Sequence, residues 1–199
     1  LYTGRIEKLG KQVVVSLESQ KRSQVKQQGG SVILCQGNLK GGKMDFLVEK
    51  CTELGVERFI PFSAGRSQGR IDGARLRQHR QRRMSIVKQA CKQSGRLRFM
   101  QVEEELDFKE LLRIDFNLST HKLILWEKAQ GSTLAAAIGG QKDSPVCLII
   151  GPEGGFSDEE AGQAQSYGWH HVSLGDQILR AETAAVGAVA ITNHLLGRM

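Results

Sequence analysis

Two glycine-containing segments late in the chain combine residue types that can hold a small ligand. The first is Gly151-Pro152-Glu153-Gly154-Gly155-Phe156, which follows the apolar run at 146–150. Glycines without side chains let backbone N–H and C=O groups approach a ligand closely. Ser157 and Glu160 have the spacing of a capping box, which predicts that a helix begins here. Ligands bind at such turns in open α/β sheets, although a plain strand-to-helix turn is the alternative.

The second segment, residues 174–185, is another irregular turn after an apolar run. It carries Arg180 and Glu182 directly before a stretch with almost no other charge. Burying charges beside such an apolar segment is costly unless they have partners. Together the two turns predict a pocket that is lined mainly by main-chain atoms.

A third segment, residues 37–43, matches the G-x-x-x-x-G-K pattern of loops that cradle nucleotide phosphates. The next position should carry a hydroxyl that holds magnesium, but it is Met44, which cannot bind a hard cation. A P-loop-like NTPase is therefore the less favoured alternative. A polar turn is favoured, with Asp45 and Glu49 complementing the dipole of the helix that follows.

Residues 66–98 form a strongly cationic stretch, with eleven basic side chains and a single acid, Asp72. Nine of the eleven are arginines, whose planar guanidinium suits paired hydrogen bonds to phosphate. The stretch has no aromatic residue that could stack on single-stranded bases. We interpret it as a surface for the backbone of folded RNA, with an ordinary solvated face as the alternative. The candidate RNA-binding residues are Arg66, Arg70, Arg82, Lys92 and Arg96.

The overall composition is that of a globular protein with a polyanionic partner. The chain has 199 residues, 40% of them hydrophobic, and 28 Lys and Arg against 21 Asp and Glu. This excludes wholesale disorder and collagen-like repetition, and the net charge of +7 favours nucleic acid as the partner. The four cysteines lack the spacing of a zinc site, so we interpret them as core residues and expect no metal. Residues 183–197 are too few for a membrane span and predict a buried helix.

Apolar runs that alternate with amphipathic segments predict an α/β fold from residue 31 onward. Strands are predicted at 31–35, 58–62, 122–126, 146–150 and 171–174, and helices at 44–54, 74–93, 132–138, 158–167 and 181–196. Residues 1–23 predict two short strands, which are marginal alone and therefore indicate the last piece of a small β-domain. We expect domains at 1–30, the β remnant with its linker, and at 31–199. The acidic cluster at 103–105 predicts a solvated loop, and Phe46 is expected on the buried side of the first helix.

The two glycine-containing segments include Gly-Pro-Glu-Gly-Gly-Phe-Ser at 151–157 and Ser-Leu-Gly-x-x-Ile-Leu-Arg-Ala-Glu-Thr-Ala at 173–184. These motifs closely resemble those of the RsmE-like ribosomal RNA uracil-N3 methyltransferases of the SPOUT class. Residues 40–45, 49–56 and 89–96 also match, so the resemblance covers about residues 32–196. Lys92 departs from the family pattern, in which glutamate is expected.

The resemblance implies a SPOUT-type, mostly parallel sheet with helices on both faces and a C-terminal trefoil knot, preceded by the remnant of a small PUA-like β-barrel. It implies a homodimer that binds S-adenosylmethionine in the knot and methylates N3 of a uridine in small-subunit (16S-type) ribosomal RNA. Gly187 would let the last helix pack closely, in the core or against a second subunit. The location would be a bacterial cytoplasm, or alternatively a chloroplast or mitochondrial matrix. The implied cofactor-binding residues are Leu125, Trp126, Glu127, Ile150, Gly151, Pro152, Glu153, Gly154, Gly155, Phe156, Leu174, Gly175, Leu179, Arg180, Glu182, Thr183 and Ala184.

For this reaction the candidate catalytic residues are Arg180, Glu153 and Glu182. N3 of uracil carries a proton, so the proton must be removed or the resulting anion stabilised, and the base must be swung out of any helix. Arg180 could stabilise the anion or hold the target phosphate, and Glu153 or Glu182 could fix geometry or accept a hydrogen bond. Neither motif contains a histidine, and no proton acceptor is assigned. A non-catalytic RNA-binding module is the remaining alternative.

Overall fold

An antiparallel hairpin opens the computed structural model, which describes residues 2–20, 29–65, 73–129 and 131–199. Its strands are β1 (Tyr2–Lys8) and β2 (Val14–Gln20), so the prediction of two strands is confirmed. Apolar side chains of the hairpin, among them Ile6, Val15 and Leu17, are exposed. The division into domains at residue 30 stays a prediction.

A seven-stranded sheet and six helices make up the rest of the described chain. In chain order the elements are β3 (Val32–Gly37), α1 (Lys43–Glu53), β4 (Arg58–Ser63), α2 (Gly73–Ser94), β5 (Gln101–Val102), β6 (Leu106–Asp107), α3 (Phe108–Leu112), β7 (His121–Leu125), α4 (Leu134–Ile138), β8 (Val146–Ile150), α5 (Asp158–Ser166), β9 (His170–Val172) and α6 (Ala181–Leu195). The strand order is β5-β4-β3-β8-β7-β9, with β6 also beside β4, and every pairing is parallel. The prediction of a mostly parallel α/β sheet is confirmed.

Strands β3 and β8 are buried along their whole length, which explains why each reads as an unbroken apolar run. Side chains alternate between the two faces of the sheet. Val32 and Leu34 pack into a core with α1, α2, α4 and α6, whereas Ile33 and Cys35 pack into a second core with α3 and α5. The sheet therefore has helices on both faces, as predicted.

Helix α1 turns a slightly different side to the sheet than the sequence predicted. Its buried side chains are Met44, Leu47, Val48, Cys51 and Thr52. Phe46, which was expected on this side, is 46% exposed. The helix begins at Lys43, and positions 44, 47, 48 and 51 then form one stripe with the helical period of 3.6, while Phe46 falls outside that stripe.

The segment between α2 and β7 contains β5, β6 and α3, none of which the sequence patterns indicated. Residues 103–105 form a loop, as predicted, but two of its three acids pair with arginines. Glu103 Oε1 lies 3.1 Å from Arg58 Nε, and Glu104 Oε1 lies 3.2 Å from Arg80 Nη1. The acidic cluster follows β5, which pairs with β4, and this pairing carries the cluster to arginines that are distant in sequence.

The cysteines and the last helix follow their predictions. All four cysteines are buried and free, which confirms that they are core residues. Helix α6 buries Ala185, Ala188 and Val189 but leaves Ile191 43% exposed. Among the described residues, no helix combines the length and the apolar character that crossing a membrane requires.

Candidate functional site

The carboxyl ends of β8, β7 and β9 meet at one edge of the sheet, because the three strands are parallel neighbours. The segments that follow them enclose a cavity of about 380 Å³, which we call the three-loop cavity. Small-molecule sites commonly have this size, and α/β sheets bind ligands at this edge.

Most of the residues that were predicted from the sequence to bind a ligand lie on the wall of the three-loop cavity. Those on its wall are Leu125, Trp126, Glu127, Ile150, Gly151, Pro152, Glu153, Gly155, Phe156, Leu174, Gly175, Leu179, Arg180, Glu182 and Ala184. Gly154 lies instead on the wall of a second cavity, and Thr183 is an exposed residue of α6 that lines neither. Further residues on the wall, which the sequence did not nominate, are Lys43, Val172, Ser173, Asp176, Gln177, Ile178 and Ala181.

Two glycines are required where the loop after β8 approaches its neighbours. A Cβ on Gly37, at the end of β3, would lie 2.5 Å from the backbone nitrogen of Pro152. Gly155 has φ +64°, a left-handed conformation, and a Cβ there would lie 3.1 Å from a carboxylate oxygen of Glu127. The contact at Gly37 is too short for any Cβ, and the left-handed φ disfavours a side chain at Gly155, so glycine sets the shape of the wall between β3, β8 and β7.

The capping box predicted after the first motif is present. The Ser157 side chain accepts a hydrogen bond from the Glu160 backbone N–H, and the Glu160 side chain accepts one from the Ser157 N–H. Helix α5 therefore begins directly after the glycine turn, and its capping box fixes the end of the loop that follows β8.

Lys43 joins two of the predicted carboxylates. Its Nζ lies 3.2 Å from Oε1 of Glu153 and 3.4 Å from Oε2 of Glu182. The backbone N–H of Lys40 donates to the same oxygen of Glu153 at 3.1 Å. The hydrogen bond to Glu153 is the largest cause of a raised pKa at Lys43. Partial desolvation acts to raise the pKa of Glu153, but the hydrogen bonds from Lys40 and Lys43 outweigh it and hold this pKa below its ordinary value.

Residues 37–43 form the polar turn that leads from β3 into α1, as predicted, but of the two acids expected in the first turn of the helix only Asp45 lies there. The sequence also did not indicate the contacts that this turn makes. This loop sends Lys43 across to the loop after β8 and to the start of α6. One signal was present in the sequence, since Lys43 follows two glycines and opens a helix after a strand. The missing information was that β3 lies beside β8, which only the pairing of the strands reveals.

Arg180 and Glu182 differ in how far they follow the prediction of buried, partnered charges. Glu182 follows it, since its side chain is 17% exposed and pairs with Lys43. Arg180 does not follow it, because Arg180 is exposed, as are all residues from 175 to 180. Within the described residues, the Arg180 guanidinium has no ion-pair partner, and it lies on the cavity wall at the N-terminus of α6.

The wall of the three-loop cavity carries more negative than positive charge. Its acidic side chains are Glu127, Glu153, Asp176 and Glu182, and its basic ones are Lys43 and Arg180. Trp126 also lies on the wall, and its buried Nε1 has no hydrogen-bond acceptor in the described part of the chain. A ligand with a positive charge and a hydrogen-bond acceptor would complement this wall.

A second and larger cavity lies on the other side of the loop after β8. We call it the basic cavity; its volume is about 790 Å³, and it lies between the β3–α1 loop, α2 and the β8–α5 loop. Its lining residues are Asn38, Leu39, Lys40, Gly41, Gly42, Met44, Asp45, His79, Arg82, Arg83, Glu153 and Gly154. Glu153 lies on the walls of both cavities, so the two adjoin at this side chain.

The described candidates for RNA binding, Arg82, Lys92 and Arg96, have three different environments. Arg66 and Arg70 lie outside the described residues. Arg82 lies on the wall of the basic cavity, where its Nε is 2.6 Å from Oδ2 of Asp45. Lys92 is exposed in the last turn of α2.

Arg96 has a different environment from the other predicted RNA-binding residues. Its guanidinium donates to the carbonyl oxygen of Thr52 at 3.0 Å and to that of Val56 at 2.5 Å. These carbonyls lie at the end of α1 and in the turn after it, where a helix leaves backbone acceptors unsatisfied. Arg96 therefore braces the connection between α1 and β4.

Comparison with known proteins gives a consistent result. The family model of the RNA methyltransferase domain matches residues 26–193. Ribosomal RNA small subunit methyltransferase E of Bacillus subtilis is 33% identical over 175 residues, which cover 83% of this chain and 67% of that protein. The same enzyme from Mesomycoplasma hyopneumoniae is 32% identical over 78% of this chain and 66% of its own length. The chain thus spans about two thirds of the length of these relatives.

Solved structures agree with the sequence comparison. Ribosomal RNA small subunit methyltransferase E from Neisseria gonorrhoeae, bound to S-adenosylmethionine, superposes with a TM-score of 0.86 at 29% identity, covering 98% of this chain and 78% of that one. The fold is thus of the SPOUT type. With its parallel sheet, its three-loop cavity and these relatives, the chain belongs to the RNA methyltransferase family that includes ribosomal RNA small subunit methyltransferase E.

Proposed function

We propose that this chain binds S-adenosylmethionine in the three-loop cavity and methylates N3 of a uridine in small-subunit ribosomal RNA. The observation that carries the proposal is that the three-loop cavity adjoins the basic cavity at Glu153. The relatives support it, because they are named as small-subunit ribosomal RNA methyltransferases and the Neisseria structure holds S-adenosylmethionine. We place the activity in a bacterial cytoplasm, since these relatives are bacterial.

The residues of the three-loop cavity fit S-adenosylmethionine. The ligand carries a sulfonium, an ammonium and a carboxylate, so its net positive charge complements a wall with four carboxylates and two cations. Gly151 and Gly155 let main-chain groups approach it closely, and Trp126 Nε1 offers an unused donor. When bound, the cofactor supplies an electrophilic methyl group.

Arg180 is the residue that we assign to stabilising the uracil anion. Loss of the N3 proton leaves negative charge on the base, and a fixed cation beside it lowers the barrier. Arg180 suits this role because it lies on the cavity wall and no described residue neutralises it as an ion pair. The same guanidinium could instead hold the phosphate of the target nucleotide.

Glu153 and Glu182 are assigned to positioning. The pKa of Glu153 is lowered, which makes its carboxylate a weak base and a poor acceptor for the N3 proton. Through Lys43, the two carboxylates hold the β3–α1 loop, the β8–α5 loop and the start of α6 together. Fixing these three segments aligns the bound reactants, which is itself a large part of catalysis.

The cationic helix α2 is assigned to the RNA backbone. Arg82 and Lys92 are separated by ten residues, or about 15 Å along the helix. Both side chains reach solvent, so they can bind phosphates that lie apart on a folded RNA. We retain Arg66 and Arg70, which precede this helix, as further contacts. Arg96 is assigned to bracing the fold, because its donors are already bound to carbonyl oxygens.

We further propose a homodimer in which α6 packs against its copy. A Cβ on Gly187 would meet no atom of a neighbouring element within 4 Å in the described chain, so the close packing expected there does not occur within one subunit. Ile191, one turn further along α6, is 43% exposed. The trefoil knot and the assignment of the hairpin to a PUA-like RNA-binding domain belong to the same proposal, and they rest on the family resemblance.

Calorimetry and a methylation assay test the proposed function. We expect S-adenosylmethionine to bind without magnesium, ATP not to bind, and 3-methyluridine to appear in small-subunit ribosomal RNA that is digested and analysed by mass spectrometry. Arg180→Ala should lower the methylation rate by about 100-fold, the usual effect of removing one anion-stabilising group. Arg113→Ala is the matched control, because Arg113 is exposed and lines neither cavity.

Other results of these assays would favour a different function or a different methylated position. RNA binding without binding of S-adenosylmethionine would favour a non-catalytic RNA-binding module. Magnesium-dependent ATP binding would favour an NTPase. A methylated nucleoside other than 3-methyluridine would overturn the N3 assignment alone.

A further inference from the structure

Arg83 is a buried cation on the wall of the basic cavity. The residue is 6% exposed, although it lies in the most basic helix of the chain. Its Nε is buried, and the described part of the chain offers it neither a hydrogen-bond acceptor nor a carboxylate within ion-pair distance of the guanidinium. Burial lowers the pKa of Arg83, against the more distant charges of Glu105 and Asp45. A buried guanidinium without a close partner is costly to the fold.

Other polar groups on this wall include a donor that no described residue satisfies and two acids that already have partners. Asn38 Nδ2 is buried and has no acceptor in the described part of the chain. Asp45 pairs with Arg82, and Glu153 accepts from the Lys40 N–H and from Lys43. Neither carboxylate of this wall lies within ion-pair distance of Arg83, and Glu105, whose charge acts on Arg83 from further away, does not line the cavity. A ligand can therefore supply an anionic acceptor to Arg83.

We propose that the basic cavity binds a phosphate group of the RNA, with Arg83 as its buried anchor and Asn38 as a second donor. A neutral base would leave the guanidinium without an anionic partner at ion-pair distance, whereas a phosphate oxygen supplies both the charge and the hydrogen-bond acceptor. This inference rests on the proposed function, because it takes the substrate that reaches the methyl donor in the three-loop cavity to be a nucleotide of RNA. Since the two cavities adjoin at Glu153, a phosphate in the basic cavity would lie near the proposed methyl donor.

Titration with small probes tests the phosphate site directly. The complete chain, as wild type and as Arg83→Met, is titrated with uridine 5′-monophosphate, inorganic phosphate and uridine. We expect both phosphate probes to bind the wild type and to lose about tenfold or more in affinity in the variant. Uridine should show no dependence on Arg83. Arg80→Met is the matched control, because Arg80 is an exposed residue of the same helix that does not line the cavity.

Thermal unfolding separates this role from a structural one. Methionine keeps much of the volume of the arginine stem and removes the unpaired charge, so Arg83→Met should have a melting temperature equal to or above that of the wild type. A fall of several degrees in both Arg83→Met and Arg83→Gln would indicate that the charge of Arg83 stabilises the fold, and this would overturn the proposal. If Arg83→Met does not fold, Arg83→Gln, which keeps donors but not charge, replaces it in the same titrations.

Several other outcomes would also show whether the basic cavity is a phosphate site. Absence of phosphate binding by the wild type, equal phosphate affinity in wild type and Arg83→Met, or an equal loss for uridine would each overturn the phosphate site. Binding of S-adenosylmethionine is measured on the same samples. If it is intact while phosphate binding does not depend on Arg83, only this inference fails; if it is absent while phosphate binding depends on Arg83, only the proposed function fails.

Discussion

Lys43 Nζ and Glu153 Oε1 lie 3.2 Å apart, although 110 residues separate them in the chain. The contact connects the loop after β3 to the loop after β8, and Glu153 stands between the two cavities. Since Glu182 contacts the same ammonium group, one cation is shared by two carboxylates, and the three groups together keep a net charge of −1.

Replacing Lys43 with methionine should weaken the site more than the fold. Glu153 and Glu182 would lose their shared cation and repel each other, which would displace the loop after β8 and the start of α6. We expect S-adenosylmethionine to bind about tenfold more weakly by calorimetry, with little change in melting temperature because the pair is partly exposed. Lys40→Met is the matched control, since Lys40 contacts Glu153 only through its backbone N–H. Equal affinities in Lys43→Met and the wild type would contradict the positioning role.

The lowered pKa of Glu153 predicts how its contribution to stability depends on pH. Because the folded-state pKa lies below the ordinary value of 4.5, the ionised carboxylate stabilises the folded state above that value. The contribution is lost as the pH falls through the folded-state pKa. The difference in melting temperature between wild type and Glu153→Gln should therefore be constant above about pH 5 and shrink in more acidic solution.

The same experiment in the Lys43→Met background checks the cause of the shift. Without the ammonium group, the contribution should be smaller and its loss should be complete at a higher pH, because one of the hydrogen bonds that lower the pKa of Glu153 is gone. A difference in melting temperature that grows on acidification would contradict the sign of the shift.

Substitutions of Arg96 and Lys92 should have different effects, the first on the stability of the fold and the second on RNA binding. Arg96→Ala removes two charge-assisted hydrogen bonds to backbone carbonyls and should lower the free energy of unfolding by about 1–3 kcal/mol in urea denaturation. Lys92→Ala should leave unfolding within about 0.5 kcal/mol, because the side chain is exposed. It should instead weaken RNA binding and reduce the slope of log affinity against log salt by about one.

Two results would contradict this division. An Arg96→Ala protein of wild-type stability would mean that the carbonyl contacts contribute nothing to the fold. An unchanged salt slope in Lys92→Ala would mean that Lys92 does not bind a phosphate.

The exposed Ile191 should report on the proposed dimer. Ile191→Lys places a charge on the face of α6 that we assign to the second subunit, and burying an unpaired ammonium is costly. Sedimentation velocity should show a dimer for the wild type and a monomer for the variant at the same concentration. Leu118→Lys is the matched control, because Leu118 is fully exposed and remote from α6 in sequence. A variant that remains dimeric would contradict the assignment of this face.

Local patterns were enough to predict the elements that carry the site. The predicted strand at 146–150 has the observed bounds of β8, because an unbroken apolar run between turn residues suits a strand buried on both faces. The capping box at Ser157 and Glu160 is also present, since both of its hydrogen bonds form within four residues. The two-residue strands β5 and β6 were missed because they exist only through pairing with β4, a contact between distant segments.

By itself the sequence determined the parallel α/β class, the glycine turns and the cationic stretch, because each depends on residue type and short spacing. Tertiary structure decided the environments of the charges. Strand order places β3 beside β8 and so brings Lys43 to Glu153. Packing of α2 against α1 and the sheet buries Arg83, and the bend after α2 turns Arg96 onto the end of α1. Composition cannot distinguish these arginines, because their roles depend on which distant groups surround each guanidinium.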